Sequence, residues 1–265
     1  MLDKASRRKN AMVIKKKVGQ MKKKKRGGTL SVPEGRAKRG VFIALEGTDG
    51  TGKKTQKELL LARLQKEGYK VAGISFPQYS KPSAWQIEQY LNGFFGKPDS
   101  VDPYFASLLF AADRREAKPV IELWLKEYDV VLSDRYTASN AGHQGGKIGD
   151  PKKRKRFLEW LWKTEFKVNK IPVPDLNIVL YVTPSVSQKN ILKKSSRNYL
   201  KKGSRRDGQE RDLAHLNRAA SSYKWLFEQN PKHFRLTNCM KGTRLASPEE
   251  IHEKIWQLVR PLIEK

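Results

Sequence analysis

Two hydrophobic rhythms alternate along the chain. Short runs of almost unbroken apolar residues, "GVFIALEG", "KVAGISFP", "YDVVLSDRY", "PDLNIVLYVTP" and "FRLTNC", predict strands, the first of them wholly apolar as in a strand buried on both faces. Between them, apolar residues recur at helical spacing. Lys53 to Lys66 predicts a helix with Leu59, Leu60 and Leu64 on one side and Gly68 as its stop. Asp102 and Pro103 read as N-cap and first residue of a long helix running from Tyr104 toward Lys118. "KRKRFLEWLWKTEF" predicts an amphipathic helix packed through Trp160 and Trp162. "EEIHEKIWQLVRPLI" predicts a closing helix, opened by a Ser247–Glu250 capping box. Strands alternating with helices define an α/β protein with a mostly parallel sheet wrapped by helices. No internal repeat is visible.

Charge divides the chain. The net charge of the 265 residues is +28, and residues 1–40 hold 15 Lys/Arg against only Asp3 and Glu34. Residues 1–39 have blocky charge, no aromatics, and Gly and Pro breaks. They cannot bury enough apolar surface to offset their ordering entropy, so a disordered basic tail is expected. Such a tail either contacts nucleic acid or acidic surfaces weakly by counterion release, or is a solvated extension without a partner. Residues 40–265 are expected to form one domain. The lone Cys239 excludes an internal disulfide and fits a buried structural thiol in the cytoplasm. No apolar run is long enough for a membrane span, and no signal peptide is visible.

The first strand runs directly into "EGTDGTGKKT", and the predicted leucine-bearing helix follows at once. Gly47, Gly52 and Lys53 fit G-x-x-x-x-G-K, and strand, loop and helix supply backbone N–H groups and a helix N-terminus for phosphate oxygens. Gly47, Thr48, Asp49, Gly50, Thr51, Gly52, Lys53, Lys54 and Thr55 are thus the candidate phosphate-binding residues, with Lys53 reaching the outer phosphates. Lys54 stands where a magnesium-binding Ser or Thr is expected. It either adds charge near the phosphates or points to solvent. Asp49 beside a polyphosphate would face a repulsion of roughly 4 kcal/mol per close charge pair at an effective dielectric near 20. It therefore points toward a metal or a second substrate, or bonds its own loop backbone. The chain has no N-K-x-D guanine motif.

Further polar stretches fall at or beyond the strand ends, where parallel sheets bind ligands. "FPQY" supplies Phe76 and Tyr79, and "LLFAADRRE" places Phe110 and Arg114 four apart on one helix face. Phe110 is either a stacking platform for a planar base or a core residue. "SDRYTASNAGHQGG" supplies Asp134, Arg135, Asn140, His143 and Gln144. A basic, glycine-containing loop, "RNYLKKGSRRDGQERD", follows the fourth strand. His215, His233 and His252 are too scattered in sequence to suggest a metal site.

Together these motifs, in order over residues 40–265, resemble the thymidylate kinase (dTMP kinase) family. The resemblance implies a three-layer P-loop kinase fold with a central five-stranded sheet and a short lid. It implies transfer of the ATP γ-phosphate to dTMP with Mg2+, and a homodimer. It assigns Lys53 and the loop to ATP, with Arg197 and Arg206 closing over it from the lid and Arg206 serving catalysis. Asp49 is placed at the sugar hydroxyl or at a metal, Asp134 in the metal's outer shell, and Glu210 on the acceptor side, partly through water. Phe110 is assigned to thymine, Arg114 and Asn140 to the base edge, His143 and Gln144 to the pocket wall beside Phe76, and Arg135 with Tyr79 to the acceptor phosphate. A related kinase with another acceptor, and a protein acting mainly through its basic tail, are the alternatives.

Overall fold

A computed structural model describes residues 39–193 and 213–264. The expected tail lies outside them except for Arg39, and so do Arg197, Arg206 and Glu210.

Strands β1 (Val41–Glu46), β2 (Val71–Ser75), β3 (Val130–Asp134), β4 (Leu176–Tyr181) and β5 (Phe234–Asn238) form one sheet in the order β2-β3-β1-β4-β5. Every pairing is parallel, so all five carboxyl ends lie along one edge. β1 is central and buried on both faces, which explains its unbroken apolar run. Ile43 and Leu45 pack with Leu60 and Leu64 of α1 (Lys53–Lys66), and with Ile255 and Trp256 of α8 (Pro248–Ile263). Phe42 and Ala44 face the other way, onto Ala117, Ile121 and Leu125 of α3 (Pro103–Glu127). The result is three layers, helices on both faces of one sheet. Asp175 just before β4 accepts from Phe42 N at 2.8 Å and from the Arg39 guanidinium at 2.8 Å.

The expected helix limits hold for α1, and both capping motifs are present. Asp102 accepts from Phe105 N, and Ser247 and Glu250 cap each other's backbone. The long helix extends past Lys118, through Pro119 to Glu127. A proline in a helix interior costs about 3 kcal/mol. Full burial of Ile121 and Leu125 offsets it, at about 1.5–3 kcal/mol each. Four helices absent from the sequence-based pattern also form: α2 (Trp85–Leu91), α4 (Thr137–His143), α6 (Pro184–Lys193) and α7 (Leu213–Gln229). A short hairpin, β6 (Met240–Lys241) with β7 (Arg244–Leu245), follows Cys239. The amphipathic helix α5 (Pro151–Trp162) continues as a π-helical segment, Lys163–Val168. Trp160 packs edge-on to Tyr104, and Trp162 stacks on Phe166. Cys239 is fully buried, and burial pushes its thiol up to about 12. No helix among the described residues is long and apolar enough to cross a membrane.

Candidate active site

Residues 47–52 turn from β1 into α1 through three left-handed glycines. A side chain at Gly47 would put its Cβ 2.5 Å from the Leu180 carbonyl oxygen, and one at Gly50 would lie 2.4 Å from that of Ser187. The loop thus packs backbone to backbone against β4 and α6, which only glycine permits. Asn190 of α6 donates to Gly50 O at 2.9 Å, and Thr51 Oγ1 donates to Thr48 O at 2.9 Å.

Lys53 opens α1, yet its side chain is buried. Its Nζ donates to Thr48 O at 2.7 Å and to Gly47 O at 3.1 Å. Burial, reinforced by the nearby Arg135 cation, brings its pKa down to about 8 against opposition from Asp49 and Asp134. Lys54 behaves differently. Its side chain is 80% exposed and lies 3.9 Å from Glu58 on the same helix, and Thr55 is exposed too.

Arg135 is the centre of the site. β1 and β3 run in register, Leu45 beside Asp134, so the residue after β3 emerges next to the loop. Arg135 there takes a left-handed backbone, φ 66°, an uncommon state for a non-glycine residue and one that clusters at functional sites. Its guanidinium reaches Asp49 Oδ1 at 2.6 Å, Gly47 O at 3.2 Å, Ser139 Oγ at 3.3 Å and His143 Nε2 at 3.2 Å. Burial would lower its pKa, but the carboxylate of Asp49 first, with Asp134 and Glu46 behind it, holds it firmly protonated. The Asp49 carboxylate therefore meets an arginine as well as standing in the phosphate loop. The neighbouring Asp134 has a buried Oδ1 with no hydrogen-bond partner among the described residues.

Beneath this pair lies Glu46, which heads the loop motif at the end of β1 and received no role from the sequence. Glu46 is fully buried and accepts from Tyr136 N at 2.8 Å, Ser139 Oγ at 2.6 Å and Tyr223 Oη at 3.3 Å. Burial raises its pKa, while the Ser139 hydroxyl, the Arg135 cation, the Tyr136 amide and the Lys53 cation oppose the shift. Glu46 thus ties the loop, the start of α4 and α7 together. A charged residue at the end of an apolar strand and at the head of the loop motif was its visible signal.

The residues that the resemblance assigns to the acceptor lie mostly on α3 and α4, with Phe76 and Tyr79 just after β2. Phe110 is half-buried, edge-on to Tyr90 with ring centroids 6.0 Å apart. Asn140 Nδ2 donates to Ser107 O at 3.1 Å, and Gln144 Nε2 to Tyr90 Oη at 3.4 Å. Phe76 is buried against Tyr136, and Tyr79 is half-buried nearby in the chain. Arg114 is buried too: both its Nε, at 3.1 Å, and a terminal nitrogen donate to Glu165 Oε1, in the π-helical segment. Glu165 Oε2 stays buried without a partner among the described residues. Sequence reasoning did not find Glu165.

The histidines are not all scattered. His215 of α7 stacks on His143 with centroids 5.4 Å apart, and bonds Asp99 at 2.9 Å. Apolar and small residues at 216, 219, 223 and 226 of α7 carry helical spacing, the signal from which the helix bearing His215, absent from the sequence-based pattern, could have been found. No cluster of three His, Cys, Asp or Glu able to hold a metal occurs among the described residues.

A glycine loop at the carboxyl edge, a buried lysine and arginine beside carboxylates, and a neighbouring group of aromatic and amide side chains define a P-loop nucleotide kinase. The thymidylate kinase family model matches residues 45–238. A thymidylate kinase of Mycobacterium tuberculosis (strain ATCC 25618 / H37Rv) is 33% identical over 190 residues, 71% of this chain and 86% of its own. A probable thymidylate kinase of Pyrococcus abyssi (strain GE5 / Orsay) is 31% identical over 84% of this chain and 97% of its own. The solved thymidylate kinase of Candida albicans shares the fold at TM-score 0.63 and 21% identity, over 85% of this chain and 93% of that one. The chain belongs to the thymidylate kinase family, and it phosphorylates dTMP to dTDP with ATP as donor.

Proposed function

We infer that catalysis here is positioning and charge neutralisation of two polyanions, carried chiefly by Arg135. The supporting observation is its reach: one guanidinium touches Asp49, the Gly47 carbonyl and His143 at once. In this reading Lys53 and the loop amides hold the ATP phosphates, and Arg135 with Tyr79 holds the acceptor phosphate. Asp49 orients Arg135 and faces the acceptor's sugar or a metal. Phe110 stacks on thymine, and Arg114 and Asn140 read the base, with Phe76, His143 and Gln144 walling the pocket. No general base is required, because a phosphomonoester is largely ionised near pH 7. Arg197, Arg206 and Glu210 take their lid roles by resemblance alone.

Mg2+ suits this donor set. Hard cations take oxygen ligands, and Mg2+ is commonly held by one or two carboxylates plus substrate phosphates. Asp134, whose Oδ1 is buried without a hydrogen-bond partner among the described residues, would serve it from the outer shell, through water. The ion would neutralise phosphate charge there. With Lys54 exposed, no hydroxyl next to Lys53 serves it.

ADP release measured against dTMP, dUMP, dCMP, dGMP and thymidine tests the acceptor. A clear preference for any acceptor other than dTMP sinks this reading. Phe110→Ala is expected to raise KM for dTMP about 10-fold or more and to leave KM for ATP within twofold, the loss expected for one stacking contact of about 1–3 kcal/mol. Equal loss of both substrates marks a packing defect instead.

Lys53 gives a proton-linked test. With its pKa near 8, a fraction of Lys53 is neutral at pH 8.5, and a bound polyphosphate favours the charged form. ATP binding at pH 8.5 is therefore expected to take up protons, and uptake should fade below pH 7. Calorimetry in buffers of different ionisation heat reads the sign. Proton release at pH 8.5 contradicts the assignment.

We also propose a homodimer, a cytoplasmic location, and weak acidic-surface or nucleic-acid contact by a tail at 1–39 that precedes the kinase domain at 40–265. The exposed face of α3 supports the first, since Phe105, Leu108, Val120 and Leu123 lie within about 120° of each other at roughly 100° per residue. Leu108→Asp is expected to weaken self-association about 100-fold, read by sedimentation velocity. An unchanged mass distribution removes this face from the interface. For the tail, deletion of residues 1–38 should abolish salt-sensitive DNA binding and leave kinase activity intact.

A further inference from the structure

Arginine donates hydrogen bonds and cannot accept them. This simple fact fixes the protonation of a chain of side chains behind Arg135. Because Arg135 lies 3.2 Å from His143 Nε2, that nitrogen must offer its lone pair, and the ring proton sits on Nδ1. His143 Nδ1 lies 3.2 Å from His215 Nε2, which must then accept, so His215 carries its proton on Nδ1. His215 Nδ1 lies 2.9 Å from Asp99 Oδ1, an acceptor. Every link is satisfied in one direction only, with both imidazoles neutral. Protonating His143 would place an N–H against the guanidinium. Burial, and then the Arg135 cation, hold its pKa well below the ordinary histidine range, in agreement with the geometry.

The far end of the chain is anchored twice. The other oxygen of Asp99 accepts from Arg218 at 2.6 Å, one turn along α7 from His215. The segment carrying Asp99 is pinned by Lys147 Nζ, which donates to Pro98 O and to Val101 O at 3.2 Å. Hydrogen bonding from His215 draws Asp99 down to about 2, so its carboxylate stays an acceptor at working pH. α7 packs tightly against α4 here: a Cβ at Gly142 would lie 2.3 Å from the Tyr223 ring.

We propose that His215, oriented by Asp99, is a positioning residue that holds Arg135 through the neutral His143 ring in the pose that receives the acceptor phosphate. The proposal rests on the reading of Arg135 given above and deepens it. Asp49 fixes one terminal nitrogen of Arg135; His143, together with Gly47 O and Ser139 Oγ, fixes the other. A misplacement of about 1 Å in such a group costs up to roughly 100-fold in rate.

The test is a mutant cycle scored on each substrate separately. His215→Phe keeps the ring's bulk and removes both nitrogens. It is expected to lower kcat/KM for dTMP about 10-fold and to leave KM for ATP within twofold. His215→Gln, which retains an acceptor for His143, is expected to recover most of that loss. In an Arg135→Ala background His215→Phe should have no further effect. Asp99→Ala, at the more exposed end, should show the same dTMP-selective loss, and it carries the cycle if His215→Phe fails to fold. Additive losses in the Arg135→Ala background, or equal loss toward both substrates, overturn the relay. So does an unchanged kcat/KM in both His215→Phe and Asp99→Ala. If Arg135→Ala itself leaves dTMP kinetics unchanged, the underlying reading of Arg135 fails, and the relay with it. These two failures are told apart by the single variants alone.

Discussion

Arg135→Ala is expected to lower kcat/KM for dTMP by about 10³-fold or more, with KM for ATP moving less than about threefold. An arginine that stabilises the charge of a transferring phosphoryl group is worth roughly 10³–10⁵ in related chemistry, and Arg135 on the acceptor phosphate is expected at the lower end of that range. Here the loss is compounded, because the mutation leaves the mostly buried Asp49 carboxylate facing incoming phosphates without its 2.6 Å partner. Two negative groups at close range each disfavour the complex by several kcal/mol at an effective dielectric near 20. Arg135→Lys separates charge from geometry. Asp49 bonds one terminal nitrogen of Arg135 while Gly47 O and His143 bond the other; a single compact ammonium does not reproduce that planar fork, so lysine should restore less than a tenth of the activity. Steady-state ADP release checks both variants. Near-wild-type turnover in Arg135→Ala would falsify the central assignment.

Glu165→Ala is expected to remove about 3–5 kcal/mol of stability, a fall in Tm of roughly 10 °C for a chain of this size. Arg114 and Glu165 side chains are 2% and 0% exposed. Breaking a buried pair strands a charge, which is far costlier than never having had the pair. Replacing both partners, Arg114→Leu with Glu165→Leu, should therefore regain most of the stability. The double variant also separates folding from recognition: restored Tm with persistent loss of dTMP affinity assigns Arg114 to the base. Thermal unfolding and dTMP kinetics on the same samples decide it. A single Glu165→Ala variant with unchanged Tm would show the pair to be energetically idle.

Much of the architecture was legible because local physics carries it. β1 reads as a doubly buried strand because every side chain from Phe42 to Leu45 is apolar and ends fully buried. α1 has the predicted limits because Gly52 and Gly68, both left-handed, bracket it. Asp102 and Ser247 announce their helices through a carboxylate or hydroxyl one turn from a free N–H. The reading stopped short at Pro119, where a local penalty was outweighed by burial of Ile121 and Leu125 against a sheet the local pattern does not contain.

The glycine loop between β1 and α1, the strand–helix alternation and the family resemblance were thus legible in the sequence alone, since each is a short-range pattern of glycine freedom, charge and side-chain periodicity. The company those residues keep was decided only by the tertiary structure. Glu46 meets Tyr223 across 177 positions, Asp49 meets Arg135 across 86, and His215 reaches Asp99 across 116. Those meetings follow from the parallel register of β1 and β3, and from α7 packing on Gly142. No spacing rule encodes them. A buried charge is tolerated only where a distant partner arrives, so its role could be read only once the sheet had brought the two together.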